Sequence, residues 1–193
     1  MKSTAILILA AGSASRMGKA KQLLPYKTST LLGHAIKQAL ASKAKAVYCV
    51  IGANAEVIEN SITQKIHLLY NSDWRHGLGN SIATGIKHIT DTHFDCVLVM
   101  LADQPKIDTD YLNQLINTAE IHENKCIASG YGIKNGVPAV FPRSYFKVLE
   151  ELSGDLGARE LLNAGSDFVV SIDAKNKIQD IDTPEDYRRL LKK

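Results

Sequence analysis

Three stretches of this chain gather residue types that do chemistry. The first is LAAGSASRMGKAKQLLP, residues 9–25. An apolar run delivers the chain to Gly12, and the small residues Ser13, Ala14 and Ser15 let backbone N–H groups come close to an anion. Arg16 and Lys21 add positive charge, with Gly18 between them. Donors and cations together are what a triphosphate needs, first to hold it and then to neutralise charge on a departing pyrophosphate. The string is neither GxxxxGKS/T nor GxGxxG. Taken alone it also suits a polar turn with two solvated basic residues.

The second stretch is LVMLADQP, residues 98–105. An apolar strand ends there, with Asp103 at its carboxyl edge and Gln104 and Pro105 fixing the turn. A hard oxygen ligand in that place suits Mg²⁺, which takes one or two protein carboxylates beside phosphate oxygens and water. A turn-forming Asp near a proline is the plainer use. The third is IQDIDTPEDY, residues 178–187. Asp180 and Asp182 lie two apart, so on an extended segment they face one side. Asp182 also suits the N-cap of the helix that follows, with Pro184 in its first turn and Glu185 completing a capping box.

Short apolar runs and helical patterns alternate along the chain. Strands are expected at 5–9, 46–51, 66–70, 94–101 and 126–129, and helices at 30–42, 54–63 (Asn54 as N-cap), 78–89 and 109–123. The last third predicts a strand at 136–141 with a proline at a sheet edge, helices at 145–152 and 158–164, short strands at 168–172 and 178–181, and a final helix. This order implies an α/β protein: a three-layer α/β/α sandwich around a mostly parallel, Rossmann-like sheet, one domain over residues 1–193. Ligands then sit beyond the carboxyl ends of the strands, where Gly12, Asn71 and Asp103 fall.

With these residues placed, LAAGxxxRMGxxKxLLP resembles the signature of the MobA-like nucleotidyltransferases, most closely the molybdenum cofactor cytidylyltransferases. The resemblance implies the nucleotide-diphospho-sugar transferase type of fold. It implies that Leu9, Ala10, Ala11 and Gly12 bind a nucleoside triphosphate, that Arg16 and Lys21 contact its phosphates, and that Asp103 serves catalysis as a Mg²⁺ ligand. A carboxylate before the TPE helix completes the metal site; that role goes to Asp180, with Asp182 the alternative. Residues 71–85, NSDWRHGLGNSIATG, carry the family's W-x-x-G-x-x-x-S pattern at Trp74, Gly77 and Ser81. Asn71, Gly79 and Ser81 are thereby assigned to nucleotide binding, the glycines letting backbone approach a flat ring. Trp74 can stack on that ring or cover the core edge, and His76 beside it gains no assigned role. Residues 153–162 resemble the GDxGAR segment of the cytidylyltransferase branch, with Asp155 suited to an N-cap. Residues 135–142 match a stretch near the acceptor pocket. Gly136, Pro138, Asp155 and Arg159 are the acceptor-binding candidates.

The implied reaction is transfer of CMP from CTP to a phosphorylated pterin, the molybdenum cofactor, by in-line attack of an acceptor phosphate on the α-phosphorus with release of pyrophosphate. That acceptor is already ionised, so no general base is required. Ala11 favours CTP over GTP, because its methyl narrows the pocket mouth. Rival readings are a guanylyltransferase, another small-phosphate nucleotidyltransferase, and a non-catalytic chaperone holding nucleotide or pterin. Transient contact with a molybdoenzyme or its chaperone is also implied.

Composition bounds the remainder. The 193 residues carry 23 Lys+Arg against 20 Asp+Glu, and a net charge of +3 without basic–aromatic interleaving excludes a nucleic-acid binder. No apolar stretch approaches the roughly 20 residues that span a bilayer. Cys49, Cys96 and Cys126 lie singly in predicted strands, as buried reduced thiols would. The opening apolar run barely reaches the roughly 7–15 residues of a signal-peptide core. A first strand feeding a loop, in a cytoplasmic protein, is the expectation.

Overall fold

The computed structural model describes residues 2–13, 17–18, 20–155, 157–165 and 167–192. Its strands are β1 (Thr4–Leu9), the small hairpin β2 (Pro25–Tyr26) and β3 (Ser29–Thr30), β4 (Ala46–Ile51), β5 (His67–Tyr70), β6 (Cys96–Leu101), β7 (Cys126–Tyr131), β8 (Lys134–Pro142) and β9 (Val169–Asp173). Its helices are α1 (Leu31–Leu40), α2 (Ala55–Ser61), α3 (Leu78–Thr90), α4 (Thr109–Ile121), α5 (Phe146–Glu150), α6 (Arg159–Leu162) and α7 (Pro184–Leu191).

Seven strands form one sheet in the order β5-β4-β1-β6-β8-β7-β9. Every neighbouring pair is parallel except those made by β8. β1 lies between two parallel partners, and all six residues of TAILIL are buried, as a strand covered on both faces requires. Ile6 and Ile8 pack with Leu32 and Ile36 of α1, Ile58 of α2 and Leu112, Leu115 and Ile116 of α4. Leu7 and Leu9 face Ile82 and Ile86 of α3, Phe146 and Leu149 of α5 and Leu162 of α6. These are the three expected layers. Among the described residues, no helix is long and apolar enough to cross a membrane.

A satellite cluster fastens the C-terminal segment to the first loop. Met17, Leu24 and Leu31 pack with Ile181 and Leu190, and the Tyr187 hydroxyl donates to the Pro25 carbonyl at 2.6 Å. Residues 178–187 are thereby carried across the sheet edge to residues 9–25.

Four local expectations need correction or refinement. Residues 178–181 form no strand; they run beside Asp103, whose carbonyl accepts from the Ile181 amide at 3.1 Å. Pro184 takes the first helical position of α7, so Thr183 is the N-cap and Asp186 completes the box, displacing Asp182 and Glu185 from those roles. Asn54 takes the N-cap place of α2 as expected, but in a left-handed conformation (φ 57°) and without a side-chain cap bond. Pro138 lies on an inner strand. Pairing of β8 with β7 jumps from Ala128–Ala139 to Ser129–Gly136, and its pairing with β6 ends at Ala139. The cis-linked Val137–Pro138 therefore falls in a bulge where no ladder donor is missed.

Candidate functional site

The carboxyl ends of β1, β4, β5 and β6 open on one edge of the sheet. Beyond β1 the chain stays laced to its neighbours: the Ala10 amide donates to the Val50 carbonyl (2.9 Å), and the Ala53 amide to that of Ala11 (3.0 Å). Both alanines are buried. Gln22, 3% exposed, turns its amide back to donate to the carbonyls of Ala10 (2.9 Å) and Gly12 (2.7 Å). It clasps the two ends of the turn, a role its sequence position gives no sign of. Among the described residues, a Cβ on Gly12 would meet nothing within 4 Å. Arg16 lies outside the described residues, as do Ala14 and Ser15.

Lys21 is the described cation at the centre. Its ammonium pairs with Asp103 and donates to Asp182 Oδ1 at 2.7 Å. Burial by itself would lower the Lys21 pKa, but the two carboxylates outweigh it and hold the group above its ordinary value, so the ammonium stays charged. Burial pushes the Asp103 carboxyl up, against the opposing pull of Lys21. Asp103 Oδ1 is buried with no hydrogen-bond partner among the described residues. Asp180 stands at the rim, where Gln104 Nε2 donates to its Oδ1 at 2.8 Å.

Among the described residues, no group of three or more His, Cys, Asp or Glu side chains is placed to hold a metal. Two carboxylates nonetheless suit a Mg²⁺-type ion when phosphate and water supply its other ligands, and the orphaned oxygen of Asp103 is a donor awaiting an acceptor.

Two cavities adjoin along this edge. One, of about 300 Å³, is lined by Ala11, Gly12, Ser13, Trp74, Arg75, Gly77 and Ser81. The other, of about 310 Å³, is lined by Leu101, Tyr131, Lys134, Asn135, Gly136, Val137, Arg159 and Asp180. Leu9, Leu78 and Asp155 belong to both walls.

The remaining candidates distribute unevenly over these walls. Ser81 lines the first cavity, while Asn71, 2% exposed, donates to its hydroxyl at 3.1 Å and lines neither. Trp74 lines the first cavity and also packs on the core, with the Arg75 guanidinium over its ring at 4.5 Å. The glycines after it admit a second loop: a Cβ on Gly79 would lie 2.7 Å from the Ser153 carbonyl oxygen, and one on Gly77 2.4 Å from Gly154. Gly79 donates to the Gly154 carbonyl at 2.8 Å, and Gly154 donates to that of His76 at 3.0 Å. Asp155 caps no helix, since α6 begins at Arg159 with Ala158 ahead of it. Its place in both walls is the more telling position. Gly136 and Arg159 line the second cavity; Pro138 does not, and Val137 beside it does. Lys134, Asn135 and Tyr131 escaped the sequence reading because a β-hairpin turn bears no chemical signature of its own.

Known proteins resemble this chain in sequence and in overall fold. The MobA-like NTP transferase domain matches residues 6–168. The chain belongs to this family. It is a nucleotidyltransferase of the MobA-like type. Its relatives include the purine catabolism protein PucB of Bacillus subtilis, 30% identical over 94% of this chain and 92% of the relative. The nicotine blue oxidoreductase of Paenarthrobacter nicotinovorans is 31% identical over 96% and 95%. The molybdenum cofactor cytidylyltransferase of Escherichia coli K12 is 26% identical over 97% and 95%. Among solved structures, Rv0371c of Mycobacterium tuberculosis superposes with a TM-score of 0.85 at 27% identity, covering 100% of this chain and 98% of that one. A complex of Rv0371c with manganese superposes at 0.81, with 26% identity and 100% and 99% coverage.

Proposed function

We propose that this MobA-like protein, acting as a single domain, transfers CMP from CTP to a phosphorylated pterin and releases pyrophosphate. The observation that carries the reading is the adjoining of the two cavities along this sheet edge, the second lined by Asp180, to which Gln104 next to Asp103 donates at 2.8 Å. The first, floored by Ala11 and Gly12, takes the nucleotide, and Ser81 and Trp74 meet its base. The second takes the acceptor, with Lys134 and Arg159 meeting its anionic charge. Lys21, with Arg16, binds the triphosphate and stabilises charge on the departing pyrophosphate. Asp103 and Asp180 would hold Mg²⁺, which supplies Lewis-acid neutralisation of phosphate oxygens when bound. The manganese complex of Rv0371c supports a divalent ion.

CTP over GTP rests on Ala11, whose methyl lies in the first cavity's wall. One methyl in a pocket discriminates by about 1–3 kcal/mol. The pterin acceptor is supported by the molybdenum cofactor relative. The three thiols are buried and free of disulfides, which supports a reducing, cytoplasmic setting.

Pyrophosphate release is the test, with Mg²⁺, CTP or GTP, and molybdenum-bearing pterin, alongside Asp103→Ala. Release with CTP that vanishes in the variant is expected. Preference for GTP overturns the Ala11 argument and leaves the class intact. Release with neither nucleotide overturns the pterin acceptor, and other small phosphates are then assayed in its place.

A further inference from the structure

Gln104 is 2% exposed, and its amide nitrogen makes two contacts: 2.8 Å to Asp180 Oδ1 and 3.4 Å to the Tyr131 hydroxyl. That hydroxyl itself donates to the Val137 carbonyl, so its lone pair is what faces Gln104. Burial pushes the Tyr131 phenol up to about 12, which keeps it a donor to Val137 at any working pH. The orientation of the Gln104 amide is thus dictated. Flipped, its oxygen would face a carboxylate and a phenol oxygen already committed as a donor elsewhere. In the orientation that fits, Oε1 is buried with no partner among the described residues.

A residue serving only to fill this space would not carry that penalty, since Met fills it without a polar atom. What the amide does that Met cannot is hold Asp180, which is exposed and would otherwise sample rotamers in solvent. We propose that Gln104 is the positioning residue that aims the Asp180 carboxylate at the site and links it, through Tyr131, to the Val137 wall of the acceptor cavity. Backbone from the same turn fixes the other half of the arrangement, because the Asp103 carbonyl accepts from Ile181 at 3.1 Å. One turn therefore supplies one carboxylate and steers the second.

The inference rests on the reading of Asp180 as a metal ligand, and the test separates the two. The full chain is titrated with Mn²⁺, read by loss of the free-ion EPR signal, for the wild type, Gln104→Met, Asp180→Asn and the double variant, with a thermal melt of each. Gln104→Met is expected to raise the Mn²⁺ dissociation constant about 10- to 100-fold, the range for losing a partner that orients a ligand. Its melting point should be held or raised, because an unpaired oxygen has gone. The double variant should bind no more weakly than Asp180→Asn alone, since Gln104 acts only through Asp180. Should Gln104→Met fold poorly, Gln104→Leu removes the donor without adding a charge and gives the same readout. If Asp180→Asn weakens Mn²⁺ binding while the Gln104 variant does not, or if the two effects add, the role of Gln104 is overturned and Asp180 stands. Unchanged binding in Asp180→Asn removes the ligand itself, and the inference falls with it.

Discussion

Replacing Lys21 by Met tests the charge balance at the centre of the site. Asp103 is 8% exposed and, among the described residues, its Oδ1 has no hydrogen-bond partner and the Lys21 ammonium is the cation paired with it. Asp182 adds less, because its side chain is 44% exposed and screened by water. Without Lys21, Asp103 has two courses. Remaining ionised costs about 3–5 kcal/mol, the penalty for an uncompensated buried charge. Taking a proton at pH 7 costs about 4 kcal/mol, from about 1.4 kcal/mol per pH unit across the roughly three units above an ordinary aspartate pKa. The cheaper course governs, so about 4 kcal/mol is a ceiling at pH 7. At pH 5 protonation costs only about 1.5 kcal/mol, so the loss must shrink as the medium is acidified. Urea unfolding of both proteins at pH 7, 6 and 5 reads this directly. In Lys21→Met/Asp103→Asn neither charge remains, and most of the loss at pH 7 should return. Nucleotide titration reads a separate property: a charge-assisted contact is worth about 1.5–3 kcal/mol, so CTP should bind about 10- to 100-fold more weakly in both variants. A loss that is equal at pH 5 and 7, or a double variant no more stable than the single, refutes the reasoning.

Gly79→Ala sets a methyl 2.7 Å from the Ser153 carbonyl oxygen and should cost about 1–3 kcal/mol, whereas the methyl of Gly12→Ala meets nothing within 4 Å among the described residues. Urea melts should find the second within about 0.5 kcal/mol of wild type, and nucleotide titration should find its CTP affinity reduced, because the methyl enters the cavity. Asp108 caps α4 through the Tyr111 amide at 2.9 Å and pairs with Lys177. Burial alone would raise its pKa, but these partners outweigh it and hold the carboxyl below its ordinary value. Its stabilisation is therefore present above the unfolded pKa and lost as pH falls through the folded one. Asp108→Ala should cost about 1 kcal/mol at neutral pH, with thermal melts converging on wild type in strong acid. Burial pushes the thiols of Cys49 and Cys126 up to about 12 and that of Cys96 to about 11. Iodoacetamide at pH 8 should label none of them until guanidinium unfolds the chain.

Much of the fold was legible because its signals are local. TAILIL is apolar at every position after Thr4, as only a strand buried on both faces need be, and α3 announces its inner face through Ile82, Ile86 and Ile89. Legibility failed where a residue's neighbours are distant in sequence. Pro138 reads as an edge marker, because a strand pattern does not reveal that two other strands will skip it. Asp182 reads as an N-cap, because the alternative one place later differs only in where Pro184 enters the helix. Asp103 and Lys21 could be singled out from their own surroundings, but the bond from Lys21 to Asp182 spans 161 residues, and that from Gln104 to Asp180 spans 76. Residue type nominated the members of the centre, and tertiary packing chose their partners.

That packing has an energetic consequence for the site. Asp180 and Asp182 ride on a segment that shares no ladder with the sheet and is anchored through Ile181, Leu190 and Tyr187. Burial of Ile181 and Leu190 contributes about 1.5–3 kcal/mol each, far less than the sheet strands gather. The first carboxylate, Asp103, follows the strand at the middle of the sheet, while the second and third arrive on one of the more weakly held parts of the molecule. Binding free energies of several kcal/mol match the scale of that anchorage. The division between a firmly held Asp103 and a more weakly anchored Asp180–Asp182 segment follows from where the apolar residues lie.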